Sequence, residues 1–161
     1  MDIAIGKVEG QATEEVYTLL CKTVKALLDS ESDLIANLGN VAAAIRQVTG
    51  FWWVGFYLVK EGQLVLGPFQ GPVACTRIAF DRGVCGACYT RRQTIVVDDV
   101  DAFPGHIACS SESRSEIVIP VFNRNGTVAM VLDIDSELPA RFTEEDKKGL
   151  ESIVRLLEKR L

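Results

Sequence analysis

Histidine is nearly missing from this 161-residue chain, which carries only His106, so metal sites built on histidine pairs have no donors. Basic charge is also short: 17 Lys and Arg stand against 22 Asp and Glu, for a formal net charge of −5. Without a basic face to neutralise phosphates, nucleic acid is not an expected partner. No apolar run approaches the roughly 18 residues that span a bilayer, so no membrane partner is expected. Met1-Asp2-Ile3-Ala4-Ile5-Gly6-Lys7 shows no basic segment followed by an apolar stretch, which predicts no signal peptide and a cytoplasmic location. Structural disulfides are rare in that reducing compartment. Internal repeats and low-complexity tracts are lacking too.

What is present describes one ordinary folding unit over residues 1–161. Its apolar fraction of 48% and its length are enough to bury a core without staples. The five cysteines, Cys21, Cys75, Cys85, Cys88 and Cys109, are an odd number, which does not suit a stapled framework. Four of them fall between Gly71 and Arg114, leaving reactive, metal-binding or merely buried thiols as the readings.

Apolar periodicity predicts N-terminal helices over about 13–49. Val16, Leu19, Leu20, Val24, Leu27 and Leu28 form the first stripe. Leu34, Ile35, Leu38, Val41, Ala42, Ile45 and Val48 form the second, with Ser30 or Ser32 as its N-cap and Gly50 as its stop. A C-terminal helix over about 143–161 is capped by Thr143 with Asp146 three residues on. The sheet and lid lie between, over about 51–135. Phe51–Val59 with Gln63–Phe69, and Ser115–Phe122 with Thr127–Asp135, read as two hairpins, the second turning at Asn125-Gly126. Shorter strands are expected at Thr76–Phe80 and Thr94–Val97. Helices flanking an antiparallel meander make an α+β domain. Residues 71–114, rich in Gly, Cys and charge, read as a functional lid.

Strand alternation sorts the chemistry onto faces. In the last strand Val128, Met130, Leu132 and Ile134 point to a core, and Asp133 and Asp135 point the other way, roughly 7 Å apart at about 3.3 Å per residue. Glu116 interrupts an apolar run in the neighbouring strand. Three acids in an apolar sheet suit a cation such as an ammonium group, or else mark a solvated sheet edge. In the first strand Trp53, Gly55 and Tyr57 share a face, a slot between aromatic walls that suits a thioether or cationic head, or plain core. Trp52 falls on the opposite face with Val54, Phe56 and Leu58.

Cys85 sits where a short helix can start, and a helix N-terminus with Arg82, Arg91 and Arg92 nearby would lower its pKa. His106, three residues before Cys109, could assist a thiolate there. Cys85-x-x-Cys88 is a weak zinc signal alone, and no metal is expected. Cys21, on an apolar helix, reads as buried filler.

At these residues the chain resembles the free methionine-(R)-sulfoxide reductases, which are built on a GAF domain. The likeness runs from about Trp52 to Arg155. It is carried by Trp53-Val54-Gly55-Phe56-Tyr57, Leu66-Gly67-Pro68-Phe69-Gln70-Gly71, Ala74-Cys75, Gly83-Val84-Cys85-Gly86, Gly105-His106-Ile107-Ala108-Cys109, Ser115-Glu116-Ile117-Val118, Val131-Leu132-Asp133-Ile134-Asp135 and Arg141-Phe142-Thr143-Glu144-Glu145-Asp146. Cys75, Cys85 and Cys109 stand at the family's spacing.

The resemblance implies a central antiparallel sheet with the N- and C-terminal helices on one face and the cysteine-rich region over a ligand pocket on the other. It implies reduction of free methionine (R)-sulfoxide, with Cys109 as nucleophile, Cys75 as resolving partner and Cys85 as a third redox cysteine. The opposite division of labour between Cys85 and Cys109 stays open. It further implies Glu116, Asp133 and Asp135 for the substrate ammonium and the proton, Trp53 and Tyr57 as walls, and backbone N–H groups around Cys85 for the carboxylate. Thioredoxin is the implied reductant, with no metal or organic cofactor, and a homodimer through the first helices is suggested by analogy. Cys88 departs from the family pattern and leaves the resolving cysteine in question. The competing readings are a GAF-type sensor of a small ligand and a thiol-based redox sensor.

Overall fold

A computed structural model describes residues 14–106, 109 and 111–161; the expected helix start at Thr13 lies outside them. Two helices open the described chain, α1 (Glu14–Ser30) and α2 (Leu34–Thr49). The cap of α2 is Asp33, whose carboxylate accepts from the Ala36 N–H, and not Ser30 or Ser32. Ser30 instead closes α1, its hydroxyl donating back to the Leu27 carbonyl. Gly50 ends α2 in the left-handed conformation that glycine adopts without strain.

The strands follow: β1 (Trp53–Lys60), β2 (Gln63–Gln70), β3 (Arg77–Ile78), β4 (Ile95–Val97), β5 (Ser115–Phe122) and β6 (Val128–Ser136). They make one antiparallel sheet in the order β3-β2-β1-β6-β5-β4. Helix α4 (Glu144–Glu158) closes the chain behind the expected capping box of Thr143 and Asp146.

Period-2 alternation gives this sheet two unlike faces. Val54, Phe56 and Leu58 of β1, Ile117, Ile119 and Val121 of β5, and Met130, Leu132 and Ile134 of β6 pack with α1, α2 and α4 in one apolar cluster. Burying each such side chain contributes about 1.5–3 kcal/mol. Val128 departs from its expected side: a register shift between Val121 and Phe122 turns it to the other face and brings Ala129 against the helices.

That other face carries the segment expected to be a lid. Much of it is ordered structure, because it holds β3, β4 and a nine-residue helix, α3 (Gly83–Arg91). Gly86 has no room for a side chain, since a Cβ would stand 2.8 Å from the Phe80 carbonyl oxygen. This close approach seats α3 against the β3 loop, and the Gly83 N–H to Gly105 carbonyl bond ties α3 to the loop bearing Cys109.

Candidate functional site

The register of three neighbouring strands writes the floor of a pocket. Glu116 of β5 pairs with Asp135 of β6, which pairs with Trp53 of β1. In the next row Val118 pairs with Asp133 and Asp133 with Gly55. Because β6 sits inside the sheet, its two aspartates are not at a solvated edge. Glu116, Asp133, Asp135 and Trp53, with Tyr57, Cys85, His106 and Cys109, line one cavity beneath α3. The acids and aromatics expected from sequence therefore meet Cys85 and Cys109 at a single place.

Three carboxyls crowd together there, and each is held above its usual pKa. Burial raises Glu116 well above the ordinary value, and the charges of Asp133 and Asp135 raise it further. Burial and the Asp133 charge act the same way on Asp135, opposed by the Ser113 hydroxyl, which donates to Asp135 Oδ1 at 3.0 Å. Burial also raises Asp133, while the Glu116 carboxyl and Cys85 thiol beside it favour its ionised form. Asp133 is 5% exposed and its Oδ1 has no hydrogen-bond partner among the described residues. A buried acceptor without a donor is costly, so this atom points to a donor that arrives from outside the chain.

Cys85 is the third residue of α3, but its environment is the reverse of the one expected for a thiolate. Its Sγ lies 4.0 Å from Glu116 Oε1. Burial first, then the charges of Asp133, Glu116 and Asp135, push its pKa well above the ordinary thiol value. The helix terminus does not outweigh three carboxylates and a dry site. Arg82, Arg91 and Arg92 are exposed, with Arg92 stacked over Phe122, away from the thiol. Cys88 is fully buried and its pKa is likewise raised by burial and Asp133.

Cys75 and Cys109 are joined in a disulfide with their Cα atoms 5.4 Å apart. Tyr57 fastens one side of it, donating its hydroxyl to the Cys75 carbonyl at 2.8 Å. Trp53 fastens the approach, its indole N–H donating to the Pro72 carbonyl at 2.9 Å. His106 stands on the same pocket wall as Cys109. Ile107 and Ala108, between them in the motif, lie outside the described residues.

The expected slot at Gly55 is already filled. A Cβ there would meet the Trp53 ring at 2.4 Å, so the glycine accommodates the indole, which stacks on Phe69 at 5.2 Å and Tyr57 at 6.1 Å. The aromatics are a wall with no gap between them. Trp52, assigned by alternation to the helix face, also lines the cavity, because it precedes β1 and alternation does not bind it. Ser113 was not singled out from sequence; it lies two residues before β5, where no periodicity places it.

Comparison with known proteins agrees with this arrangement. The GAF domain family matches residues 33–161. At 46% identity, a free methionine-R-sulfoxide reductase from Neisseria meningitidis, solved in complex with its substrate, superposes with a TM-score of 0.92 over 98% of this chain and 95% of that one. The Escherichia coli free methionine-R-sulfoxide reductase is 46% identical over 146 residues, 90% of this chain and 88% of the relative. Its Saccharomyces cerevisiae counterpart is 38% identical over 154 residues, 91% of this chain and 86% of the relative. The fold and site are those of a GAF domain adapted to thiol redox chemistry. The chain belongs to the free methionine-R-sulfoxide reductase family.

Proposed function

We propose that this enzyme reduces free L-methionine (R)-sulfoxide to methionine, with Cys109 attacking and Cys75 resolving. One observation carries the reading: the pocket is lined both by buried carboxyls and by the uncapped start of a helix, the two partners that an amino-acid zwitterion requires. Asp133 Oδ1 awaits a donor, and Glu116 and Asp135 stand beside it. α3, whose first turn also lines the pocket, starts after Arg82 with no side-chain cap, leaving its N–H groups at Val84 and Cys85 for a carboxylate. A peptide-bound methionine sulfoxide has neither charge at its α-carbon, so free substrate is favoured.

In the reaction the Cys109 thiolate attacks the sulfoxide sulfur while a carboxyl protonates the sulfoxide oxygen. The S–O bond breaks, methionine leaves, and the oxygen remains on Cys109 as a sulfenic acid. The Cys75 thiol then displaces that oxygen as water and the Cys75–Cys109 disulfide forms. An external dithiol, thioredoxin by its chemistry, returns both thiols at the expense of its own oxidation. Glu116 suits the proton donor because its carboxyl stays protonated above the usual range. Trp52, Trp53 and Tyr57 would wall the side chain, and no metal or organic cofactor takes part. Cys85, kept as a buried thiol, serves substrate binding and not attack. The cytoplasm, where thioredoxin is reduced, is the expected location, and the homodimer through α1 and α2 stays an expectation from analogy.

Turnover of free L-methionine (R)-sulfoxide, its S epimer and a peptide-bound R sulfoxide, with thioredoxin recycling, tests the reading. Reduction of the free R form alone, lost in Cys109→Ser, is the expected result. No turnover with any of the three would leave a ligand-binding or redox sensor in its place.

A further inference from the structure

We propose that the ammonium end of the pocket is also a binding site for a soft or borderline divalent cation, Zn2+ or Cd2+, ligated by Cys85, Glu116 and Asp133, and that the cation excludes the substrate. One ligand atom from each of these three side chains lies within 4.8 Å of the other two, and all three residues are buried. Cys85 Sγ and Glu116 Oε1 are already 4.0 Å apart. Tetrahedral zinc with bonds of roughly 2.0–2.3 Å spaces its ligands only slightly closer. The independent sign of a ligand is Asp133 Oδ1, a buried acceptor with no partner among the described residues.

The donor set selects the metal. One sulfur and two carboxylates favour zinc or cadmium over Mg2+ and Ca2+, which take six or more oxygens. Three protein ligands leave a fourth position open to the cavity, as in metal sites that exchange water or small ligands. Charge balances too: the Cys85 thiol and Glu116 carboxyl each release a proton to solvent, so one dication replaces two protons. The rigid sheet places Glu116 and Asp133, and α3, seated by Gly86, places Cys85. Cys88, although at Cys-x-x-Cys spacing, is not among the three.

The exclusion of substrate rests on the reductase reading, since both ligands would need Asp133 Oδ1. Binding itself does not. The test therefore uses protein oxidised at Cys75–Cys109, so that neither of those thiols can bind metal, and Cd2+ as the probe. One cadmium per chain should bind with a thiolate-to-cadmium absorption band. Cys85→Ser should abolish the band, while Cys88→Ala and Cys21→Ser should retain it. Glu116→Gln, which keeps the thiol, should weaken binding about tenfold or more, the scale on which even outer-sphere partners of a metal act. Free methionine should displace the ion.

A wild-type protein without the band, or a band that survives Cys85→Ser, would overturn the proposal. Displacement by methionine supports the shared subsite, and a band unmoved by saturating methionine overturns the exclusion. No turnover enters the experiment, so its failure leaves the reductase reading intact, and failure of that reading leaves the cadmium band to be seen.

Discussion

Two buried aspartates show what separates the two faces of the sheet. Asp146, on the helix side, is 1% exposed and fully answered. It accepts from the Tyr17 hydroxyl at 2.7 Å, from the Thr143 N–H at 2.9 Å and from the Thr143 hydroxyl at 3.0 Å, and pairs with Arg141 at 3.4 Å. Asp133, on the pocket side, is almost as buried and keeps one oxygen unanswered among the described residues. The first carboxylate ties α1 and α4 to the turn before α4. The second holds unspent hydrogen-bonding capacity for a ligand. A folded chain tolerates the latter because the apolar face next to it supplies the stability.

The sharpest way to break this comparison is to remove each aspartate in turn. Asp146→Ala strands the Tyr17 hydroxyl, removes the capping box and unpairs Arg141, and should cost about 3–5 kcal/mol in denaturant unfolding, with KM unchanged in the folded fraction. Asp133→Asn should leave stability equal or higher. It should also lower kcat/KM about a hundredfold, mostly through KM, because a charged partner of the ammonium is lost. Equal stability losses in the two variants would show that the faces do not differ in this way.

A pH titration sharpens the same contrast at a smaller scale. Glu116 and Asp135 hold protons in the folded state well above the pH at which an unfolded chain, with pKa values near 4, releases them. Where the native state binds more protons, stability falls as pH rises. From about pH 4 upward each group should subtract up to about 1.4 kcal/mol per pH unit until its raised native pKa is passed. Glu116→Gln should flatten that slope in unfolding measured across pH, and an unchanged slope would deny its buried proton.

The smallest expected effect belongs to Cys88→Ala. A buried thiol that takes no part in the disulfide acts as filler, so its loss should cost about 1 kcal/mol and change thioredoxin-coupled turnover less than about twofold. A large loss of recycling, with the fold intact, would restore Cys88 as a resolving residue.

Which parts were legible in the sequence follows from which forces are local. Alternation placed Asp133 with Asp135 and Trp53 with Tyr57 because side chains on a strand obey a period of two. The second hairpin could be read from Asn125-Gly126, and the first from the short gap between its two apolar runs. The pairing of β1 with β6 could not, since it joins residues as distant as Trp53 and Asp135, and that pairing makes the pocket. Trp52 escaped because it stands one residue outside its strand, and Val128 because a bulge reverses its side. The thiol pKa of Cys85 runs against the expectation because a helix start is visible in sequence, whereas the three carboxylates beneath it come from β5 and β6.

The wall of the cavity has an optical consequence. The chain's two tryptophans, Trp52 and Trp53, both line this one site, and Trp53 is hydrogen-bonded to the carbonyl three residues before Cys75. Disulfides quench nearby indoles by accepting an electron from the excited state, and thiols do so less. The protein's tryptophan emission is thus confined to the redox centre, so opening and closing of the Cys75–Cys109 bond can be followed in real time without a label.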